Sequence, residues 1–292
     1  MSPGFRPCAR LVVNADDFGI SQSINDGIAR AHREGIVTAT SLMAGGRAFD
    51  HAVAWCRSLP TLDVGAHLTL VAEKPLLKKK STLTGADGRL PPSIRVLLGR
   101  LWGGRISRAD IQAEWSAQIE RILASGIRVT HLDSHQHLHA LPGIGRLTLN
   151  LARDYHIPFV RVPIEDRMAP RSLTRQSLFR SAEAMVLRGS CLFSGLNRRS
   201  AGEFPPPQSL GFQEGGSLDL ARLQRLLRSL RPGRVYELMC HPGLTPVEPE
   251  VKRWRYHHRE ELGALSSPVI RAEIAARNIR LCTFAELSGG HA

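Results

Sequence analysis

Short apolar runs and amphipathic stretches alternate along most of the 292-residue chain. An apolar run of about four to eight residues is typical of a buried strand, and apolar residues at spacings of three and four are typical of one helix face. Ile111, Trp115, Ile119 and Ile122, for example, share one face of a helix predicted over 109–124. The two patterns together predict seven strands, at 11–13, 37–43, 62–70, 127–133, 158–163, 234–240 and 279–284.

Helices are predicted between most of these strands, and local signals mark their ends. Ser21 is a candidate N-cap for the first helix and Gly35 a candidate stop, and Pro60 follows a second helix over 48–59. Further helices are predicted at 144–155, 218–230 and 260–277. This alternation predicts parallel strands joined by helical crossovers, arranged either as a barrel or as a doubly wound sheet.

Three segments depart from the alternation, within what we predict to be a single catalytic domain over 1–292. Residues 71–107 contain proline and glycine pairs that break any long element, so they predict a loop excursion over one face. Residues 166–200 mix arginines with apolar residues and predict a basic helical insert. That insert is either a surface helix that covers the barrel or a contact for a membrane surface or lipid substrate. Residues 202–216, rich in Pro and Gly, are predicted to be a loop.

Composition favours one globular domain without disulfide bonds. The chain is 42% hydrophobic, and its five cysteines are odd in number, scattered and without a Cys-x-x-Cys pair, so we expect them to be reduced. The first residues lack the apolar core of a signal peptide, and no stretch reaches the roughly 18 apolar residues of a membrane span. We therefore expect a cytoplasmic protein, peripheral at the inner membrane if the insert over 166–200 binds lipid.

The formal net charge of +13 raises nucleic acid or an anionic membrane surface as a partner. The arginines are spread throughout the chain, aromatic residues make up only 5%, and no helix-turn-helix, zinc-finger or RNA-binding motif is present. We therefore do not expect a nucleic-acid partner.

Side chains that can bind a metal or transfer a proton lie at the carboxyl ends of the predicted strands, and they are most frequent over residues 131–139. Four histidines and one aspartate occupy alternate positions there, a combination that suits zinc, iron, nickel or manganese better than magnesium or calcium. Polar residues also follow other strands, and this distribution is typical of the catalytic face of a barrel. These residues are Asp16, Asp17, His67, Arg161 and His241, in addition to Asp133 of the cluster itself.

A hydrolytic metal site needs about three protein ligands and an open position for water. Asp17, His67 and His135 can supply the three ligands. Asp16, adjacent to a ligand, is then a candidate general base, and His241 a candidate general acid for the leaving group.

Each of these residues also has a plainer interpretation. The Asp16–Asp17 pair is compatible with a turn and an N-cap, and His67 with an ordinary core histidine. Asp133 can orient an imidazole or contact substrate, and Arg161 can pair with Asp133 or Asp16 or contact substrate. His137 and His139 either face the substrate or support the structure.

Four motifs resemble those of the YdjC-like carbohydrate deacetylases, which include chitooligosaccharide deacetylases and deacetylases of glycosylated hopanoids. They are Asn-Ala-Asp-Asp-Phe-Gly at 14–19, Gly-Ala-His-Leu-Thr at 65–69, Thr-His-Leu-Asp-Ser-His-Gln-His-Leu-His at 130–139 and Met-Cys-His-Pro-Gly at 239–243. The resemblance implies an α/β fold, a deformed and seven-stranded barrel related to polysaccharide deacetylases. It also implies one divalent metal, zinc or magnesium, held by Asp17, His67 and His135, with Asp16 as the base.

The activity implied by this resemblance is hydrolysis of the N-acetyl group of an amino sugar, with release of acetate. The substrate is a chitooligosaccharide or a lipid-linked sugar, and the length of the basic insert over 166–200 is more similar to the hopanoid-associated branch. Other metal-dependent amidohydrolases or phosphoesterases, or a non-catalytic sugar- or membrane-binding protein on the same fold, are the alternatives. A homodimer is also compatible with the sequence.

Overall fold

The computed structural model describes residues 7–78, 81–165, 175–196, 204–246 and 248–289. It is an α/β fold in which every strand pair is parallel. The strands are β1 (Ala9–Phe18), β2 (Ala39–Leu42), β3 (Asp63–Leu68), β4 (His131–Ser134), β5 (Phe159–Val160), β6 (Gln208–Leu210), β7 (Val235–Cys240) and β8 (Ile279–Leu281).

Seven of the strands form a curled sheet in the order β5-β4-β3-β2-β1-β7-β6. Within the described part of the chain no backbone pairing joins β5 to β6, so the barrel is open there. Two side-chain hydrogen bonds span this gap: Ser209 donates to the carbonyl oxygen of Val162 (3.0 Å), and Glu165 accepts from the backbone of Phe212 (2.8 Å). The predicted deformed seven-stranded α/β barrel is confirmed.

Two strands of the sheet, β6 and β8, differ from the prediction. β6 lies within residues 202–216, which were predicted to be a loop, because a three-residue strand after a run of prolines has too little periodicity to be detected. The last predicted strand, β8, lies off the main path. It pairs with the first residues of β1, from Ala9 to Leu11, whereas β2 pairs with β1 only from Asn14 onward.

Helices cover the outside of the sheet, and most begin at a side-chain cap. Ser21 accepts a hydrogen bond from the backbone of Ile24, and the predicted N-cap is thereby confirmed. The predicted apolar face of the helix over 109–124 is buried along its whole length. The helices are α1 (Gln22–Glu34), α2 (Phe49–Ser58), α3 (Ile94–Trp102), α4 (Arg108–Ala124), α5 (Gly145–Asp154), α6 (Arg175–Ser194), α7 (Leu220–Ser229), α8 (Pro249–Lys252), α9 (His258–Leu265), α10 (Pro268–Ala276) and α11 (Phe284–Leu287).

The two long segments each contain a helix. The excursion over 71–107 includes the nine-residue helix α3, which the sequence did not predict. Before this helix, the buried carboxylate of Glu114 accepts hydrogen bonds from the backbone N–H groups of Leu76 and Leu77. Of the insert over 166–200, α6 is described, whereas residues 166–174 and 197–200 lie outside the described residues. Among the helices that the structure describes, none is long and apolar enough to cross a bilayer.

Candidate active site

A bulge near the end of β1 places two adjacent carboxylates in one site. Between Ala15 and Phe18 the strand contains one residue more than its partner β2, and Asp17 has a left-handed backbone with φ of 67°. Successive side chains on a regular strand point to opposite faces, and the bulge breaks this alternation. Asp16 and Asp17 therefore both border the same pocket.

Asp17 meets two imidazoles that come from different strands. Its Oδ1 atom lies 2.9 Å from Nδ1 of His135 and 3.3 Å from Nε2 of His67. One donor atom from each of the three side chains lies within 4.8 Å of the other two, and all three residues are buried. Although burial raises the pKa of Asp17, the adjacent His135 and His67 hold it well below its ordinary value.

His67 is oriented from behind by Asp133. Its Nδ1 atom lies 2.8 Å from Oδ1 of Asp133, and Ser41 donates to the other oxygen of that carboxylate at 2.7 Å. Burial lowers the pKa of His67, but the charge and hydrogen bond of Asp133 outweigh it and, with Asp17, raise the pKa to about 10. A carboxylate behind a ligating histidine fixes its ring and increases its basicity.

These three side chains fit a divalent cation. Both ring nitrogens of His67 face carboxylates, so in the absence of an ion the ring must carry two protons, which its raised pKa reflects. A cation between His67 and Asp17 would replace the proton on Nε2 and keep the one shared with Asp133. One carboxylate and two imidazoles form a donor set of the kind that zinc and similar ions bind.

Asp16 has a different environment, dominated by Arg161. The guanidinium contacts both oxygens of Asp16, at 2.7 and 2.8 Å, and Asn14 donates to one of them at 2.8 Å. The same guanidinium lies 2.7 Å from Asp133 and 2.6 Å from Glu237. Arg161 is buried and is not among the residues that line the pocket, so of its predicted roles the structure shows the pairing with Asp16 and Asp133.

A second group of possible metal donors consists of Asp16, His67 and Asp133. The guanidinium of Arg161 already contacts both carboxylates of this group. A divalent cation there would lie against a fixed positive charge, so Asp17, His67 and His135 fit a metal better than this second group does.

His241 follows β7, and the strand register places it next to Asp16. Ala15 pairs with Cys240, so the residues that come next, Asp16 and His241, lie at the ends of neighbouring strands. Burial lowers the pKa of His241 to about 4, so the ring is neutral at pH 7. Its Nδ1 atom is buried and has no hydrogen-bond partner among the described residues.

The backbone of His241 is held at two points by α9. Glu261 accepts from its N–H at 2.7 Å, and Nδ1 of His258 contacts its carbonyl oxygen at 2.8 Å. Glu261 also accepts from the backbone of Leu218 at 3.2 Å. One helix therefore fixes both the strand end that carries His241 and the loop before α7.

The remaining histidines of the 131–139 cluster divide into two groups. His137 borders the pocket, has a left-handed backbone (φ 54°) and leaves its buried Nδ1 atom without a partner among the described residues. His139 instead uses Nδ1 on Ser134 (2.7 Å) and Nε2 on the carbonyl oxygen of Arg161 (3.0 Å). His131 is stacked on Phe284. His137 thus faces the pocket, whereas His139 and His131 support the structure.

The pocket above the Asp–His group has a volume of about 660 Å³. Its floor is polar and is formed by Asp16, Asp17, His67, His135 and His241. Its walls are mostly apolar and come from α3, α6 and the loops after β6 and β7, namely Ile94, Leu98, Val186, Leu187, Phe212, Trp254 and Tyr256.

Several of these site residues were missed from the sequence. Glu237 stands in an otherwise apolar strand, a signal comparable to that of His67, and could have been found in the same way. Trp254 and Tyr256 lie in an irregular stretch, yet their rings are 5.0 Å from His135 and 4.9 Å from His241, centroid to centroid. No local sequence pattern indicates these two contacts.

Fold and site together define a class: a curled parallel α/β barrel with a buried aspartate and two histidines, able to bind a divalent metal, at the carboxyl edge of its strands. A model of the family described as YdjC-like protein matches residues 10–276. The chain belongs to this family, and the resemblance seen in its motifs is confirmed.

Relatives of known name cover nearly the whole chain. The carbohydrate deacetylase of Brevibacillus brevis is 31% identical over 279 residues, which are 95% of this chain and 99% of that protein. The carbohydrate deacetylase of Geobacillus stearothermophilus is 32% identical over 278 residues, covering 94% and 96%. Among solved structures, an Enterococcus faecalis V583 protein, named in connection with cellobiose-phosphate cleavage, matches with a TM-score of 0.73 and 25% identity, covering 96% and 99%.

Proposed function

We propose that the protein is a metal-dependent carbohydrate deacetylase that removes the N-acetyl group from an amino sugar and releases acetate. The observation that carries the proposal is the buried group of Asp17, His67 and His135 on the floor of a pocket, with the carboxylate of Asp16 beside it. The names of the full-length relatives support the same class of reaction.

In this proposal Asp17, His67 and His135 hold one divalent ion, zinc or magnesium. Such an ion supplies Lewis acidity, which lowers the pKa of water and polarises a carbonyl group. Asp133 keeps the ring of His67 in one orientation through its Nδ1 contact. The two-point contact with Arg161 fixes the orientation of the Asp16 carboxylate beside the pocket.

Proton transfer is assigned to Asp16 and His241. Asp16 accepts a proton from the attacking water as that water forms a bond to the acetyl carbon. The departing nitrogen requires one proton when its bond to that carbon breaks, so the proton that Asp16 accepts balances the reaction. His241, neutral at pH 7 and at the end of the neighbouring strand, is proposed to pass this proton to the nitrogen.

The substrate is proposed to be a chitooligosaccharide or an acetylglucosaminyl lipid such as a glycosylated hopanoid. The polar floor suits the acetamide group, and aromatic side chains such as Trp254 and Phe212 suit contact with a sugar face. The apolar residues Leu98 and Leu187 provide a wall for an apolar attachment to the sugar.

The experiment is to load the full-length protein with zinc or magnesium and incubate it with both classes of substrate. Mass spectrometry detects replacement of one acetyl group by hydrogen, and an acetate assay measures turnover. Phosphate release from sugar phosphates is measured in parallel. Acetate release that His135→Ala abolishes supports the proposal, whereas phosphate release without acetate release would assign the protein to the phosphoesterase alternative.

A further inference from the structure

Helix α6 has one buried face and one exposed apolar face. Ser181, Ala184, Cys191 and Ser194 are buried, and Ser190 donates to the carbonyl oxygen of Ala140 at 2.8 Å. Among the side chains of α6 that the structure describes, five large apolar residues on the other face are exposed, with Phe193 86% and Val186 73% accessible. This apolar stripe consists of Leu178, Met185, Val186, Leu192 and Phe193.

The spacing of these residues makes the stripe continuous. Leu178, Met185 and Leu192 follow one another at intervals of seven residues, as do Val186 and Phe193. Seven residues are close to two helical turns, so both rows run along the same side of α6. A continuous exposed apolar stripe is rare on the surface of a soluble protein unless it contacts a partner or a membrane.

The apolar stripe borders the mouth of the active-site pocket. Val186 belongs both to the stripe and to the pocket wall. Helix α3 contributes Ile94 and Leu98 to that wall, and Trp102, four residues further along the same helix side, is 73% exposed. Apolar side chains on two helices therefore lie around the entrance.

Charge distinguishes between two candidate occupants of the stripe, a second copy of the chain and an anionic bilayer. Residues 166–200 contain seven arginines and two acidic residues, and the whole chain has a formal net charge of +13. A second copy of the chain would carry the same positive net charge, so the two copies would repel each other. An anionic bilayer would instead attract the arginines while the apolar side chains enter the boundary between headgroups and acyl chains.

We propose that the apolar stripe of α6, together with Trp102, docks on an anionic lipid bilayer and places the mouth of the pocket at the lipid surface. A substrate whose sugar is attached to a lipid would then enter the pocket from the membrane. The docking itself does not depend on deacetylation, so it is tested by binding alone.

The test is co-sedimentation of the full-length protein with vesicles of phosphatidylcholine, with and without phosphatidylglycerol. We expect binding to the anionic vesicles, weakened at about 1 M salt, where the Debye length is about 3 Å. The double variant Leu192→Ser/Phe193→Ser should reduce the partition coefficient at least about tenfold, because two exposed apolar side chains no longer enter the bilayer. Neither residue lines the pocket, so the variant should keep its activity on a soluble substrate.

The matched control is Val269→Ser, which removes an exposed apolar side chain from α10, away from the stripe. Its partition coefficient should equal that of the unmodified protein. The proposal would be overturned if Val269→Ser lowered the partition coefficient as much as the double variant does, or if the unmodified protein did not sediment with anionic vesicles. Analytical ultracentrifugation measures the oligomeric state of the unmodified protein and of the double variant. A dimer that dissociates in Leu192→Ser/Phe193→Ser would show that the stripe binds another copy of the chain instead.

Discussion

The guanidinium of Arg161 holds Asp16 by two parallel contacts, Nη1 to Oδ2 at 2.7 Å and Nη2 to Oδ1 at 2.8 Å. Its remaining contacts reach Asp133 and Glu237, so one cation lies among three buried carboxylates. Asp133 in turn orients His67. The proposed base and a proposed metal ligand are therefore fixed by the same side chain.

Replacement of Arg161 by Met should strongly destabilise the fold. It leaves three buried carboxylates without their cation, and breaking a buried ion pair from one side costs about 3–5 kcal/mol. Urea unfolding measures this loss in the free energy of unfolding. The matched control is Arg30→Met, which removes an exposed pair with Glu34 and should cost about 0.5 kcal/mol or less. Equal costs for the two variants would contradict the central role of Arg161.

The sequence predicted those parts of the site that depend on local pattern. The positions of Asp17, His67 and His135 at strand ends follow from hydrophobic periodicity, because parallel strands bring their carboxyl ends to one edge. The helix α4 was predicted in the same way. What brings Asp16 and Asp17 to one pocket is the bulge in β1, and a one-residue register shift has no signature in a single strand.

The contacts of Arg161 were not predictable as a network. Its partner Asp16 is 145 residues away in the sequence, and Glu237 is a further 76 residues beyond Arg161. Such pairings depend on which strands become neighbours, whereas local pattern describes each strand alone. The contacts of Glu261 and His258 with the backbone of His241 were not predictable either, since in the sequence both residues resemble ordinary polar residues of a surface helix.

Asp16→Asn and His135→Ala should separate catalysis from metal binding. Asp16→Asn removes the proposed base but no assigned ligand, so the variant should bind metal and lose acetate release. His135→Ala removes a ligand and should lose both. Elemental analysis of the dialysed protein measures bound metal, with His51→Ala, on α2, as a control that should retain metal and turnover. Normal acetate release by Asp16→Asn would rule out its role as the base.

The buried neutral histidines should each destabilise the fold as the pH falls from about 6.5 toward 4. Burial lowers the pKa of His131 to about 3 and those of His139 and His241 to about 4, from an ordinary value of 6.5. The unfolded chain binds protons at these rings in this range and the folded protein does not, so protonation favours unfolding. Each ring adds a slope of up to about 1.4 kcal/mol per pH unit.

Urea unfolding at a series of pH values in the presence of a chelator measures this slope. His131→Phe keeps a ring against Phe284 but cannot be protonated, so its slope between pH 6.5 and 4 should be smaller than that of the unmodified protein. If His131→Phe and the unmodified protein had the same slope, His131 would not be buried in its neutral form.

Glu261 should act on turnover through the position of His241. The two oxygens of Glu261 accept from the backbone N–H groups of His241 and Leu218, one each. Glu261→Gln replaces one of these oxygens by an NH₂ group, which cannot accept, so one of the two hydrogen bonds is lost. A displaced His241 should lower kcat by about tenfold to a hundredfold with a smaller change in KM. Glu260→Gln, on the exposed side of the same helix, is the control and should leave both constants unchanged. A rise in KM alone would instead indicate that Glu261 shapes substrate binding.

Gly65 should be intolerant of any side chain because of its distance from His131. A Cβ atom at Gly65 would lie 2.3 Å from Nε2 of His131, and that ring cannot move back because it is stacked on Phe284 with 4.1 Å between centroids. Gly65→Ala should therefore lower the free energy of unfolding by about 1–3 kcal/mol, the usual cost of overpacking a core.

The control for this prediction is Gly263→Ala in α9, where an added Cβ atom meets no other atom within 4 Å. Alanine in an open helical position should raise the free energy of unfolding by about 0.5–1 kcal/mol. The two glycine variants thus change stability in opposite directions, and urea unfolding measures both. If Gly65→Ala also stabilised the protein, His131 could not lie against β3, and the histidine would have to be reconsidered as a residue facing the pocket.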